Sequence, residues 1–195
     1  MEDNLKEKFI EVYKTNILKS GADDLLKWLL TTDFFEAPAS TKYHGNYEGG
    51  LLQHSLNVYN CLKPLVEELP ENERPSEETI AICGLLHDIC KVQFYKKGFR
   101  NVKDDNTGKW NRVEIYEIDE KFPCGHGEKS VILIQNFMKI TTDIILSIRW
   151  HMSGWDSAAK GGDYSVSKAY ENCKLAVLLS IADMKATYIL ESKGE

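Results

Sequence analysis

IAICGLLHDIC, residues 80–90, places an imidazole and a carboxylate side by side inside an otherwise apolar run. Burying that doublet is costly unless something pairs with it, and a divalent cation is the simplest partner. Ser76 followed by Glu77 and Glu78 reads as an N-cap with acids in the first turn, so the run is expected to be helical from there to about Val92. Consecutive side chains on a helix diverge by about 100°, yet two can still meet one metal at the helix edge. The remaining ligands must then come from other helices. His54, one turn into a helix expected from about Leu51 to Leu69, and Asp183, inside the apolar run LAVLLSIADM, are the candidates.

Outward from that stretch, apolar residues at three- and four-residue spacing predict helices over 4–19 and 22–31, broken near Ser20-Gly21 and flanking the core. Residues 33–50 carry no period and read as a loop. Residues 93–120 place β-branched and aromatic residues on either side of DDNTG, a turn signal, and predict an inserted hairpin. Further helices are expected over His126–Met138, Thr142–Trp150 and Ser167–Leu190, with a glycine-rich loop before the last. The expectation is an all-α bundle with a small β-hairpin, one domain over 1–195, in which 1–32 flank a core at 33–192.

Composition narrows the function. The chain has 195 residues, 43% apolar and 28% charged, so one core can stand without disulfide or structural metal, and a metal would be there for chemistry. A net charge of -6 argues against a whole-surface grip on nucleic acid or anionic membrane. No apolar run is long enough to span a bilayer and the first residues lack a signal-peptide pattern, so a cytoplasmic chain without membrane contact is expected. Its five cysteines are scattered without a C-x-x-C pair and read as reduced, mostly buried residues.

His54, the His87-Asp88 doublet and Asp183 stand in the order of the HD-domain superfamily of metal-dependent phosphohydrolases, which the chain resembles. APASTKYHGNYEGGLLQHSLNV (37–58), GLLHDICK (84–91), HGEKSVILI (126–134), His151 in SIRWHM and ADMKA (182–186) are similar to the HD domain of YhaM-type 3′-to-5′ exoribonucleases. Only about 30 residues precede this region, too few for the OB-type domain of those enzymes. The resemblance implies a helical HD bundle and two divalent cations, drawn from Mn, Fe, Ni, Co, Mg or Zn. It assigns His54, His87, Asp88 and Asp183 to one cation, with Asp88 bridging to a second on His126 and His151. Two cations a few Å apart would activate water and stabilise charge at an in-line displacement on phosphorus.

Lys91 is then expected beside the non-bridging phosphate oxygens, and His44, in a loop beside glycine, takes a substrate-contact or proton-transfer role. Asp88, Lys91 and His44 form the candidate catalytic set. Residues 91–112 hold seven basic and two acidic side chains, leaving -11 on the rest of the chain. Lys96, Lys97 and Arg100 are therefore expected at the mouth of the site, steering a small phosphorylated substrate such as a nucleotide or short oligonucleotide. Two alternatives use the same residues. Histidine-carboxylate sites of this pattern also serve HD-type di-iron oxygenases, and a non-catalytic nucleotide-binding module would keep the ligands without turnover.

Overall fold

The computed structural model describes residues 2–105 and 107–192, with the backbone alone for residues 2 and 3. Asn106 of the expected DDNTG turn lies outside the described residues, as do Met1 and residues 193–195. Helix α1 (Glu2–Asn16) and α2 (Ala22–Leu30) come first, separated at Gly21 with φ 89°. They do more than flank the core: Phe9, Tyr13, Leu25 and Leu29 are wholly buried and Phe9 packs on Phe34. The spacing of Phe9, Tyr13 and Ile17 at four-residue intervals brings all three to one face of the chain, which explains the depth of this contact.

Helix α3 (Gly50–Glu67) and α4 (Glu77–Leu86) form the centre. Ser76 caps α4 by accepting from the Thr79 amide, as the sequence suggests. The helix, however, stops at Leu86 rather than near Val92. Asp88 turns out of helical geometry at φ -106°, ψ 18°, and a single tight turn over 89–91 follows. The doublet therefore sits at a helix end, where the chain's change of direction lets two adjacent side chains face one space.

The ribbon β1 (Tyr95–Lys103) and β2 (Trp110–Ile118) is one antiparallel pair with Lys97 opposite Tyr116 and Phe99 opposite Glu114. Most of its residues are exposed on both faces. The return strand alters the charge balance expected from 91–112, because Glu114 and Glu117 join Asp104 and Asp105 against six basic residues. Lys97 pairs with Glu114 at 3.4 Å and Glu48 at 3.6 Å, and Lys96 approaches Glu117 at 4.0 Å. A surplus of five becomes a surplus of two over 95–118.

Helices α5 (His126–Gln135), α6 (Thr142–Trp150), α7 (Ser157–Lys160), α8 (Ser165–Asn172) and α9 (Lys174–Lys185) complete the fold. The single helix expected over Ser167–Leu190 is broken at Cys173, which is extended at φ -138°, ψ 99°. The break folds α8 back so that the Tyr170 hydroxyl reaches the Trp150 carbonyl at 3.2 Å, while α9 buries Leu175, Ala176, Leu179 and Ala182 in the core. After Lys185 the helix widens into one π-type turn over 186–190, closed by the Glu191 amide on the Ala186 carbonyl. Four cysteines are buried and Cys124 is half-buried, all as free thiols. Among the described residues no helix is long and apolar enough to cross a membrane.

Candidate metal centre

Two glycines control how closely the helices that carry the candidate ligands approach. A Cβ on Gly84 would lie 2.6 Å from the Tyr59 Cα, and one on Gly127 would lie 2.2 Å from the Arg149 carbonyl oxygen. Only glycine permits these contacts without displacing backbone. The first lets α4 close on α3, which carries His54; the second lets α5 close on α6, bringing the His126 and His151 rings to 5.4 Å.

Asp88 is the hub. Its Oδ2 lies 3.5 Å from His54 Nε2 and 3.6 Å from His87 Nε2, and its Oδ1 lies 2.6 Å from His126 Nε2 and 3.4 Å from His151 Nε2. Asp183 Oδ1 approaches His54 Nε2 at 3.2 Å. The six residues named from the sequence as ligands thus come from five separate segments to one place. Donor atoms of His54, His87 and Asp88 fall within 4.8 Å of one another, as do those of Asp88, His126 and His151.

The hydrogen-bond pattern shows that this donor set fits a cation. His87 Nδ1 lies 3.0 Å from the Gly84 carbonyl and His151 Nδ1 lies 2.7 Å from the Ile148 carbonyl. Carbonyl oxygens only accept, so both Nδ1 atoms carry hydrogen and both Nε2 lone pairs point into the cluster. His151 Nε2 is buried with no hydrogen-bond partner, a position that costs free energy unless a cation takes the lone pair.

Charges in the cluster follow from the same contacts. Burial opposes the His54 cation, but hydrogen bonds with Asp183 and Glu191 prevail and push it up to about 9. Burial pulls His87 down to about 3 in spite of Asp88. For His126, burial is outweighed by the Cys90 sulfur and the Asp88 carboxylate, which push it up to about 10. Asp88 is held well below the usual carboxylate range because Lys91, His87 and His126 outweigh its desolvation. Asp183 is likewise held down against its burial by His54.

Lys91 is buried and its Nζ lies 2.6 Å from Asp88 Oδ2, so its first partner is the hub carboxylate. His44 stacks near His54 with ring centroids 4.8 Å apart. Both its ring nitrogens are buried without partners, and burial, with His54 beside it, holds it down to about 4. Ser40 pins the loop by donating to the His44 carbonyl at 2.7 Å. Lys96, Lys97 and Arg100 lie exposed on the ribbon, where Lys96 and Lys97 face Glu117, Glu114 and Glu48.

Three contributors escape the sequence patterns. Glu191 takes His54 Nδ1 at 3.1 Å and accepts from Asn57 Nδ2 at 2.8 Å, forming a carboxylate–histidine pair behind the ring. It lies in the polar tail ESKGE, where an acid reads as solvated; only Asn57, one turn after His54, offered a signal. Cys90 Sγ sits 3.3 Å from His126 Nδ1, although beside the doublet it reads as a small core residue. Lys129, one turn after His126, is buried against Glu120.

A bundle that gathers histidines and aspartates from five segments onto one shared carboxylate defines a class, and a family model for the HD domain matches residues 51–187. The chain belongs to the HD-domain family. Over 120 residues it is 31% identical to the dihydroneopterin 2′,3′-cyclic phosphate phosphodiesterase of Methanocaldococcus jannaschii. The aligned part covers 60% of this chain and 44% of that protein, so the chain spans less than half the length of this relative. No solved structure matches the chain.

Proposed function

We propose that the chain is a metal-dependent phosphohydrolase that opens a phosphodiester in a small nucleotide-like compound or short oligonucleotide, a cyclic phosphate ester being the first class to try. The observation that carries this is the pair of buried Nε2 lone pairs, on His87 and His151, fixed in direction by backbone carbonyls on either side of one carboxylate. Membership of the HD family and the similarity to a cyclic phosphate phosphodiesterase support the same class.

His54, His87, Asp88 and Asp183 would hold one divalent cation, and Asp88, His126 and His151 a second. Bound there, the cations supply Lewis-acid polarisation and a nucleophile at neutral pH. The protein's own groups do the rest. Glu191 keeps the His54 ring turned so that Nε2 faces Asp183. Lys91 presents an ammonium beside Asp88, within reach of a phosphoryl oxygen placed at the hub. His44, with both ring nitrogens buried and unpartnered, offers an N–H to the leaving oxygen. Lys96, Lys97 and Arg100 add weak steering from the ribbon.

The test is a metal-supplemented screen over nucleoside 2′,3′-cyclic phosphates, other cyclic nucleotides, dinucleotides and short RNA. Manganese-dependent release of phosphomonoester products, undiminished without dioxygen, is expected. Dioxygen consumption, or full metal content with no phosphoester turned over, would overturn it.

A further inference from the structure

A cavity of about 120 Å³ opens beside His126, walled by Lys91, His126 and Lys129 with Cys90, Phe94 and Glu120. At the liquid volume of water that space corresponds to about four molecules, room for a phosphate group. Both lysines on its wall already face a carboxylate, Lys91 with Asp88 at 2.6 Å and Lys129 with Glu120 at 2.9 Å, so an anion in the cavity would draw on the donors that these pairs leave over. Lys129 follows His126 by three residues on α5, which puts both on one face of the helix. Its side chain is only 8% exposed, and its Nζ donates to Glu120 Oε1 at 2.9 Å. The Phe94 and Phe122 ring centroids lie 5.2 and 5.9 Å from that nitrogen. An ammonium has three donors and Glu120 takes one, so the group retains hydrogen-bonding capacity at the cavity wall.

We infer that this cavity is a phosphate subsite, in which Lys129 and Lys91 together hold one phosphate dianion next to the metal centre; the inference rests on the phosphohydrolase reading of that centre. Lys91 serves it once the hub carboxylate is engaged elsewhere. The dianion has two possible sources with the same chemistry: a terminal phosphate on the substrate, or inorganic phosphate left after reaction.

The experiment titrates inorganic phosphate into the metal-loaded chain by calorimetry. Lys129→Met weakens phosphate binding about tenfold or more, the loss expected for a hydrogen bond between charged groups, with metal content unchanged. Lys129→Arg keeps the affinity within about threefold, since the charge stays. Glu120→Gln tightens binding, because it removes the carboxylate that competes for the ammonium. Were the pair merely structural, Glu120→Gln would leave phosphate binding unchanged or weaker, and that result overturns the subsite even if Lys129→Met fails to fold. Equal phosphate affinity in wild type and Lys129→Met overturns it as well. Steady-state kinetics with nucleoside cyclic phosphates, with and without a 5′-phosphate, separates the sources. A rise in KM confined to the 5′-phosphorylated compound assigns the subsite to the substrate, and loss of product inhibition at equal KM assigns it to released phosphate. Neither change counts against the subsite. Absence of any turnover with phosphate binding intact is a distinct result, which strikes the phosphohydrolase reading and leaves the anion site standing.

Discussion

The two sides of Asp88 are built differently. On one, the His54 and His87 side chains are at most 1% exposed, and the His54 ring is backed by Glu191, itself tied to Asn57. On the other, His151 is as deeply buried, but the His126 side chain is 28% exposed, its neighbour is a thiol, and a cavity opens beside it. Burial and an outer hydrogen-bond ring raise ligand basicity and hold geometry, whereas an exposed edge gives access. Under the proposed reading, the closed side is the one expected to retain its cation, and the open side the one expected to admit substrate.

Removing the shared carboxylate breaks both sides at once. Asp88→Ala should lose both cations and lower turnover by about a thousandfold or more, given what a transition-state charge stabiliser contributes. Metal analysis and activity measured on one preparation check this, and full occupancy in the variant would end the bridging assignment. His87→Ala and His126→Ala sharpen the contrast: the first should empty the closed side, the second only the open side. Chelation should lower the melting temperature of the wild type, because a ligand bound to the native state alone stabilises it. A melting temperature unmoved by complete metal removal would contradict ligation across helices.

The outer ring comes next in size. Glu191→Ala should weaken the closed-side cation by about 10- to 100-fold, the usual cost of losing a partner behind a ligating histidine. Competition with a chromophoric chelator reads this directly, and an unchanged affinity would reduce Glu191 to a packing residue. Cys90→Ser, on the open side, should change metal affinity less than Glu191→Ala.

Glu191 also marks where the sequence stops being informative. The His87-Asp88 doublet stood out because it places polar groups inside an apolar run, which burial alone would penalise, and His54 and Asp183 followed as its candidate partners on other helices, whereas His126 and His151 were named only through the resemblance to the HD superfamily. Glu191 lies in a polar tail and reaches His54 only through the π-type turn over 186–190. Sequence periodicity has no signature for that turn. The same limit explains the helix ends. Helical spacing continues past Leu86 and across Cys173, yet the backbone leaves helical geometry at Asp88 and at Cys173. The hairpin's position was legible from its turn signal, yet its charge was misjudged because the return strand was not counted.

The two glycine contacts compare the sides at the level of packing. Gly84→Ala and Gly127→Ala each force a methyl into backbone and should cost about 1–3 kcal/mol, a fall of about 2–4 °C per kcal/mol for a chain of this size. Gly84→Ala should weaken the closed-side cation and Gly127→Ala the open-side one. Equal effects on both cations from either variant would show that the sides are not independent.

The smallest effect belongs to the ribbon. With Lys97 already paired to Glu114 and Glu48, and Lys96 near Glu117, little free positive charge remains to draw an anion. Exposed pairs of this kind are worth about 0–1 kcal/mol, and charges more than about 8 Å apart are largely screened at physiological ionic strength. Neutralising Lys96, Lys97 and Arg100 together should therefore lower kcat/KM by no more than about threefold, leave kcat and metal content alone, and slightly flatten the salt dependence. Lys91→Met should behave differently, depressing kcat itself, because a buried ammonium beside the hub acts on the transition state. A tenfold loss of kcat/KM in the triple variant, persisting at high salt, would mean that the ribbon touches the substrate rather than steering it.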